Sequence, residues 1–171
     1  RDLHPRVRRQ RQMCIRDRKK ILELKAVVNG KCIPVEETKD EVFSKKILGD
    51  GVAFLPADGK IVSPISGTVS KISPEKHLYC IQTKEGVNVI VHIGIGSVRQ
   101  NGEGFVPMVS EGQKVQAGDV LADADIDRLK AAGVDLCTPV IVTGHDILDE
   151  IECMTGDVTV GESIVMRFTM K

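Results

Sequence analysis

Gly86-Val87-Asn88-Val89-Ile90-Val91-His92-Ile93-Gly94-Ile95-Gly96 is the stretch that sets the reading of the chain. Side chains alternate between the two faces of a strand. Val87, Val89, Val91, Ile93 and Ile95 therefore share one unbroken aliphatic face, the signature of a β-strand packed on a core. Asn88, Ile90, His92, Gly94 and Gly96 share the other face. His92 thus points away from the continuous apolar face. Gly94 and Gly96 remove side chains beside it, so a ligand or partner can approach closely. An isolated strand histidine is ordinarily just a satisfied or exposed side chain. The flanking glycines and a second histidine set this one apart.

That second histidine is His77, which begins the preceding β-rich run, Leu78–Thr83, across the Glu85-Gly86 turn. A hairpin centred between Lys84 and Glu85 pairs His77 directly with His92 and sets the imidazoles side by side. Two neighbouring imidazoles suit two chemistries. In a phosphoryl relay, one neutral ring attacks phosphorus in line and the other donates a hydrogen bond to the phosphoryl oxygens. Partial burial would hold the nucleophile's pKa below the usual value of about 6.5 and keep it neutral. In a zinc site, three or four ligands are needed. His145 and Asp146 are the remaining candidates, but no HxH or HExxH spacing is present, and no metal is expected.

Outward from this stretch, the chain from Ile21 onward is a series of short β-rich runs broken by glycine turns. The expected strands are Ile21–Val28, Lys31–Val35, Gly51–Pro56, Gly59–Ser63, Gly67–Ser73, Leu78–Thr83, Val87–Ile93, Lys114–Val115, Val120–Ala122, Pro139–Thr143, Thr159–Val160 and Ile164–Thr169. Two short helices are expected, one capped by Asp125 and ending at Gly133, the other capped by Asp146 and running through Glu152. Ala26–Ile33 echoes Ser63–Ser70 in shape, each a run into a glycine turn and out into a second strand. The fold class is therefore all-β, an antiparallel β-sandwich or barrel with a duplicated motif and two short helices.

Composition narrows the function. The 171 residues carry no Trp, one Tyr and four Phe, so the core is aliphatic and base stacking on aromatic platforms is not expected. The zero net charge hides an asymmetry: residues 1–20 hold nine Lys/Arg and two Asp/Glu, leaving 15 basic and 22 acidic residues in the remainder. An acidic body argues against nucleic acid as the main partner and favours a basic protein. Residues 1–19 have no apolar period and read as a disordered or non-native basic leader. Gln12–Arg18 resembles translated sequencing adapter, which puts the expected native start near Lys20 and the domain at 20–171. An Arg-rich arm can bind nucleic acid or anionic lipid, but the bland tail is the simpler reading. Five scattered cysteines without a CxxC pair read as reduced thiols of a cytoplasmic protein. No apolar run reaches the roughly 18 residues of a membrane span, and no signal-peptide core follows the basic start.

Seven pieces, in order, resemble the glucose-type IIA domain of the bacterial phosphoenolpyruvate-dependent sugar phosphotransferase system. They are Val42–Gly51, Ser63–Val69, Val91–Ile95, Gly102–Phe105, Glu111–Asp119, Thr138–Val140 and Val158–Glu162. The resemblance implies a compact antiparallel sandwich built from a duplicated motif. It implies that His92 accepts a phosphoryl group on Nε2 from the histidine-containing phosphocarrier protein and passes it to a cysteine of a IIB domain. That IIB domain serves a membrane IIC domain, and no cofactor is involved. His77 matches the second histidine, which stabilises the phosphoryl group. The docking rim maps onto Val42, Phe43, Leu48, Ile90 and Val98, residues whose simpler reading is core packing. Gly96-Ser97 stands where the family usually has Asp-Thr, so a carboxylate is lost while the Ser97 hydroxyl remains near the site. Glu75 stands two residues before His77 where a Thr is common, and its carboxylate either orients His77 or repels phosphate.

Two other classes compete. Ser63–Val69 and Glu111–Leu121 also resemble the halves of a biotinyl or lipoyl carrier, yet no Met-Lys-Met or Asp-Lys-Ala hairpin lies between them to present a modified lysine. An intact mass showing such an adduct would favour that class. A non-catalytic regulatory binding protein would use the same surface without taking phosphate.

Overall fold

A computed structural model of the chain describes residues 21–95, 102–143 and 148–170. The expected leader at 1–19, and His145, Asp146, Gly96, Ser97 and Val98, lie outside the described residues. Among the described residues there are fourteen strands, and every pairing between them is antiparallel. The strands are β1 (Ile21–Lys25), β2 (Gly30–Pro34), β3 (Asp50–Pro56), β4 (Lys60–Val62), β5 (Gly67–Ile72), β6 (Leu78–Gln82), β7 (Asn88–His92), β8 (Phe105–Pro107), β9 (Lys114–Val115), β10 (Val120–Ala124), β11 (Thr138–Val142), β12 (Leu148–Cys153), β13 (Gly156–Val158) and β14 (Ile164–Met170). Eight form one sheet in the order β13-β2-β3-β11-β7-β6-β5-β9. Two three-stranded sheets, β1-β14-β12 and β4-β10-β8, complete the fold. All three sheets feed one core, which joins Leu24, Phe54, Ile61, Tyr79, Ile81, Leu121 and Phe168. The core is aliphatic because aromatic volume is scarce, and period-two alternation delivers one residue in two to it.

From Val87 to Ile93 the opening stretch behaves as its alternation demands, but Ile95, expected on the core face, lies beyond the Gly94 turn and packs on the other side. Val87, Val89, Val91 and Ile93 are buried, while Asn88, Ile90 and His92 are half-buried on the other face. That other face is floored by a second, smaller cluster of Val35, Phe43 and Ile141, with Ile90 and Ile95 packed against it. Ile141 of β11 stands directly across from Ile90 of β7. Phe43 comes from α1 (Glu41–Ser44), a single turn capped by Asp40, whose carboxylate accepts from the Val42 amide at 2.8 Å. Such a cap contributes about 1 kcal/mol.

The two echoed segments share one local feature of the backbone. Gly30 opens β2 against β3, and Gly67 opens β5 against β6. A Cβ at either would strike a carbonyl oxygen of the facing chain, Leu55 O at 2.1 Å and Gln82 O at 2.5 Å. The chain entering one echoed segment lies beside the start of the other: Lys25 N donates to Pro64 O and Val62 N to Val27 O.

The helix expected behind Asp125 is α2 (Ile126–Ala131), its cap accepting from the Arg128 amide at 3.1 Å, and the turn after it closes at Gly133 with φ +78°. The helix expected from Asp146 to Glu152 is not one: Leu148–Cys153 is β12, paired with β14. Long-range pairing overrode the local capping signal. Arg167 of β14 lies across from both Glu23 and Glu152, and its Nε bonds Glu23 at 2.7 Å, so β14 supplies an opposite charge to each neighbour. The strand expected at Thr159–Val160 sits just upstream, at Gly156–Val158, and β8 was not anticipated at all. Among the described residues, no helix is long and apolar enough to cross a membrane.

Candidate active site

The β6–β7 hairpin places the two histidines, though not by the expected register. Leu78, not His77, stands opposite His92. The loop has three residues rather than two. Gly86 takes φ +86°, Gly86 N donates to Thr83 O, and Thr83 N donates to Val87 O at 2.8 Å. The odd residue moves the hairpin centre onto Glu85 and slips the register by one.

A one-residue slip within a regular strand would put His77 and His92 on opposite faces. The rings nevertheless meet edge-on, with centroids 4.8 Å apart and planes at 83°. His77 lies just outside β6, directly after Lys76, which has φ +64°. Alternation no longer dictates side-chain direction at such an end, and the ring is free to lean across. His77 is 5% exposed and also faces Phe105 of β8 at 6.5 Å. His92 packs on its other side against Phe43, centroids 5.1 Å apart.

The polar partners of the two rings define their chemistry. His92 Nδ1 lies 2.7 Å from the Gly94 carbonyl oxygen. A carbonyl only accepts, so Nδ1 carries the proton and Nε2 keeps its lone pair. Gly94 turns its carbonyl back onto the ring by adopting φ +79°, a conformation costly for other residues. His77 Nδ1 lies 3.3 Å from the Ser73 hydroxyl.

Burial above all, and then the neighbouring His77, bring the His92 pKa down to about 4, with the Gly94 carbonyl and the Asp40 carboxylate opposing the shift. Burial also lowers His77, with Glu75 opposing. Both rings are neutral near pH 7. Between about pH 6.5 and pH 4 the unfolded chain takes up a proton at position 92 that the folded chain refuses, so stability falls as pH falls. At about 1.4 kcal/mol per pKa unit, this amounts to roughly 3 kcal/mol. Urea midpoints compared at pH 7.5 and 4.5 should therefore drop less for His92→Gln than for wild type. Equal drops would show that His92 is not held neutral by its surroundings.

The structure brings His77, His92 and the Glu75 turn together. Of the expected docking residues, Val42 and Leu48 are exposed, Ile90 is half-buried, and Phe43 lies beneath the surface against His92. Sequence reasoning passed over three residues at the site. Asp40 was legible as a helix cap before Glu41, and Ser73 as the start of a Ser-Pro turn. Phe105 carried no local signal. Among the described residues, no group of three His, Cys, Asp or Glu side chains is arranged to hold a metal ion.

Residues 22–147 match the family model described as phosphoenolpyruvate-dependent sugar phosphotransferase system, EIIA 1. The chain is 46% identical over 130 residues to the glucose-specific EIICBA component of this system from Streptococcus pneumoniae, covering 76% of this chain and 18% of that protein. It is 38% identical over 148 residues to the glucose-specific EIIA component from Haemophilus influenzae, covering 85% of this chain and 87% of that one. The chain thus spans less than a fifth of the first relative and most of the second. The solved glucose permease IIA from Mycoplasma capricolum superposes with a TM-score of 0.80 at 33% identity, over 86% of this chain and 96% of that one. With a paired-histidine site on an antiparallel sandwich and matches of this extent, the chain belongs to the EIIA 1 family of the phosphoenolpyruvate-dependent sugar phosphotransferase system.

Proposed function

We propose that this chain is a phosphocarrier on the cytoplasmic side of a sugar uptake system, with His92 as its phosphoryl acceptor. The donor is a phosphohistidine of the histidine-containing phosphocarrier protein. The acceptor is a cysteine of a IIB domain, which in turn serves a membrane IIC domain. The observation that carries the reading is the 2.7 Å contact between His92 Nδ1 and the Gly94 carbonyl. It leaves the Nε2 lone pair as the nucleophile, beside a second neutral imidazole.

The transfer is an in-line displacement. Nε2 of His92 forms the new N–P bond as the donor's N–P bond breaks, and the electron pair returns to the donor imidazole. Little covalent help is required, so positioning and electrostatic stabilisation dominate. A nucleophile with a pKa near 4 needs no deprotonation at neutral pH. Exposed Val42 and Leu48, and Ile90 half-buried on the same face of β7 as His92, are the apolar surface a partner would cover to exclude water. The fused EIICBA architecture of the Streptococcus pneumoniae relative supports a IIB acceptor.

Incubation with labelled phosphoenolpyruvate, enzyme I and the phosphocarrier protein should give close to one acid-labile, alkali-stable phosphate per chain. An unlabelled wild-type protein would overturn the assignment.

A further inference from the structure

The turn before β6 presses a hydroxyl onto the second histidine. Ser73 closes this turn three times over. Its amide donates to Leu78 O at 3.0 Å, its carbonyl accepts from Lys76 N at 2.9 Å, and its Oγ accepts from Leu78 N at 3.2 Å. The same Oγ lies 3.3 Å from His77 Nδ1. A serine hydroxyl has one proton and two lone pairs. With Leu78 N–H on a lone pair, its proton is available, and Nδ1 is the acceptor beside it. The opposite arrangement, in which Nδ1–H donates to Oγ, would direct two donors onto one hydroxyl and leave its proton without that partner in a half-buried turn.

We infer that Ser73 is a positioning residue: its hydroxyl donates to His77 Nδ1 and holds the ring in the tautomer with its proton on Nε2. The role of that proton rests on His92 being the phosphoryl acceptor. An Nε2–H beside His92 donates to phosphoryl oxygens, whereas the other tautomer would turn a lone pair toward an anion. The neighbouring Glu75 makes no such bond. Its carboxylate acts on His77 through charge, favouring the protonated ring against the effect of burial. The hydroxyl thus reaches His77 from four residues upstream, while position 75, where the family commonly carries a Thr, holds a carboxylate. Ser73 and Glu75 belong to one turn, and of the two it is Ser73 that brings a hydrogen-bonding group to His77 Nδ1.

The test combines two-bond proton–nitrogen correlation spectra of the ¹⁵N-labelled imidazoles with transfer kinetics, on wild type, Ser73→Ala and Ser73→Thr. For wild type, His77 should show a protonated Nε2 and an unprotonated Nδ1. Ser73→Ala should give an averaged pair of tautomers at His77 while His92 keeps its proton on Nδ1, which also reports an intact fold. Its acceptance of phosphate should change by less than about twofold, and its forward transfer should fall by about tenfold, the effect of one lost hydrogen bond. Ser73→Thr should restore both readings. A wild-type His77 with its proton on Nδ1 would overturn the inference. So would a Ser73→Ala protein with unchanged tautomer and transfer. A wild-type protein that takes no phosphate would defeat the phosphocarrier reading instead, and the wild-type spectrum would still decide the role of Ser73.

Discussion

His92→Gln is expected to lose phosphoryl acceptance altogether, a drop of at least about a thousandfold in labelling, because among the described residues no other side chain at the site is placed to take over as nucleophile. The nearest alternative, His77, is edge-on to His92 and 5% exposed, with its Nδ1 engaged by Ser73. Glutamine keeps a neutral polar group on the Phe43 floor, so the fold should persist. Loss of a half-buried imidazole that refuses protonation should even make the variant less acid-sensitive. The measurement is phosphate per chain after incubation with the donor system, with circular dichroism as the control for folding. A His92→Gln protein that labels as well as wild type would move the acceptor elsewhere.

His77→Gln should separate receipt of the phosphoryl group from its delivery. The donor phosphohistidine arrives with its own leaving group, and His92 needs only its Nε2 lone pair to accept. Delivery to a cysteine asks more of the site. Charge on the phosphoryl oxygens must be followed as the N–P bond breaks, and a ring held edge-on against His92 is placed to do so. Losing one preorganised donor commonly costs about a hundredfold in rate. Acceptance should therefore stay within a few-fold of wild type, while transfer to the IIB cysteine falls by roughly two orders of magnitude. Removing His77 also removes the group that helps hold the His92 pKa down. His92 in His77→Gln should titrate at a higher pH than in wild type. Normal forward transfer would take His77 out of the mechanism, and an unchanged His92 titration would show that the rings do not sense each other.

How much of this was written in the sequence depended on the range of the interaction involved. Strands with a strict two-residue period, such as the one carrying Val87 to Ile93, were legible because each side chain's face is a local property of extended backbone. The short helix behind Asp125 was equally legible, since its cap and its terminal glycine lie within nine residues of each other. Asp146–Glu152 carried similar capping residues and was misread. Its strand exists because β14, the next strand but one, offers it a ladder partner and the opposite charge of Arg167, neither of which a local capping pattern encodes. The register of the histidine hairpin failed for a subtler reason: a single glycine at φ +86° made the loop odd. The three-residue β8 has little pattern to read, and it enters the fold only by pairing with β10.

By itself, the sequence determined that His92 lies off the apolar face, that Gly94 stands beside it, and that His77 is the histidine that could join it. The first follows from alternation and the second from adjacency in the chain, whereas the register expected for His77 was off by one residue. Only the tertiary structure decided how the site is made. The left-handed turn at Lys76 lets His77 lean across a register that alternation alone would forbid. The Gly94 carbonyl selects the nucleophilic nitrogen. Phe43, brought in by a one-turn helix, covers the ring and, with the rest of its burial, keeps it neutral. Each of these depends on where backbone carbonyls and desolvating side chains end up in space, and no local pattern of residues encodes that.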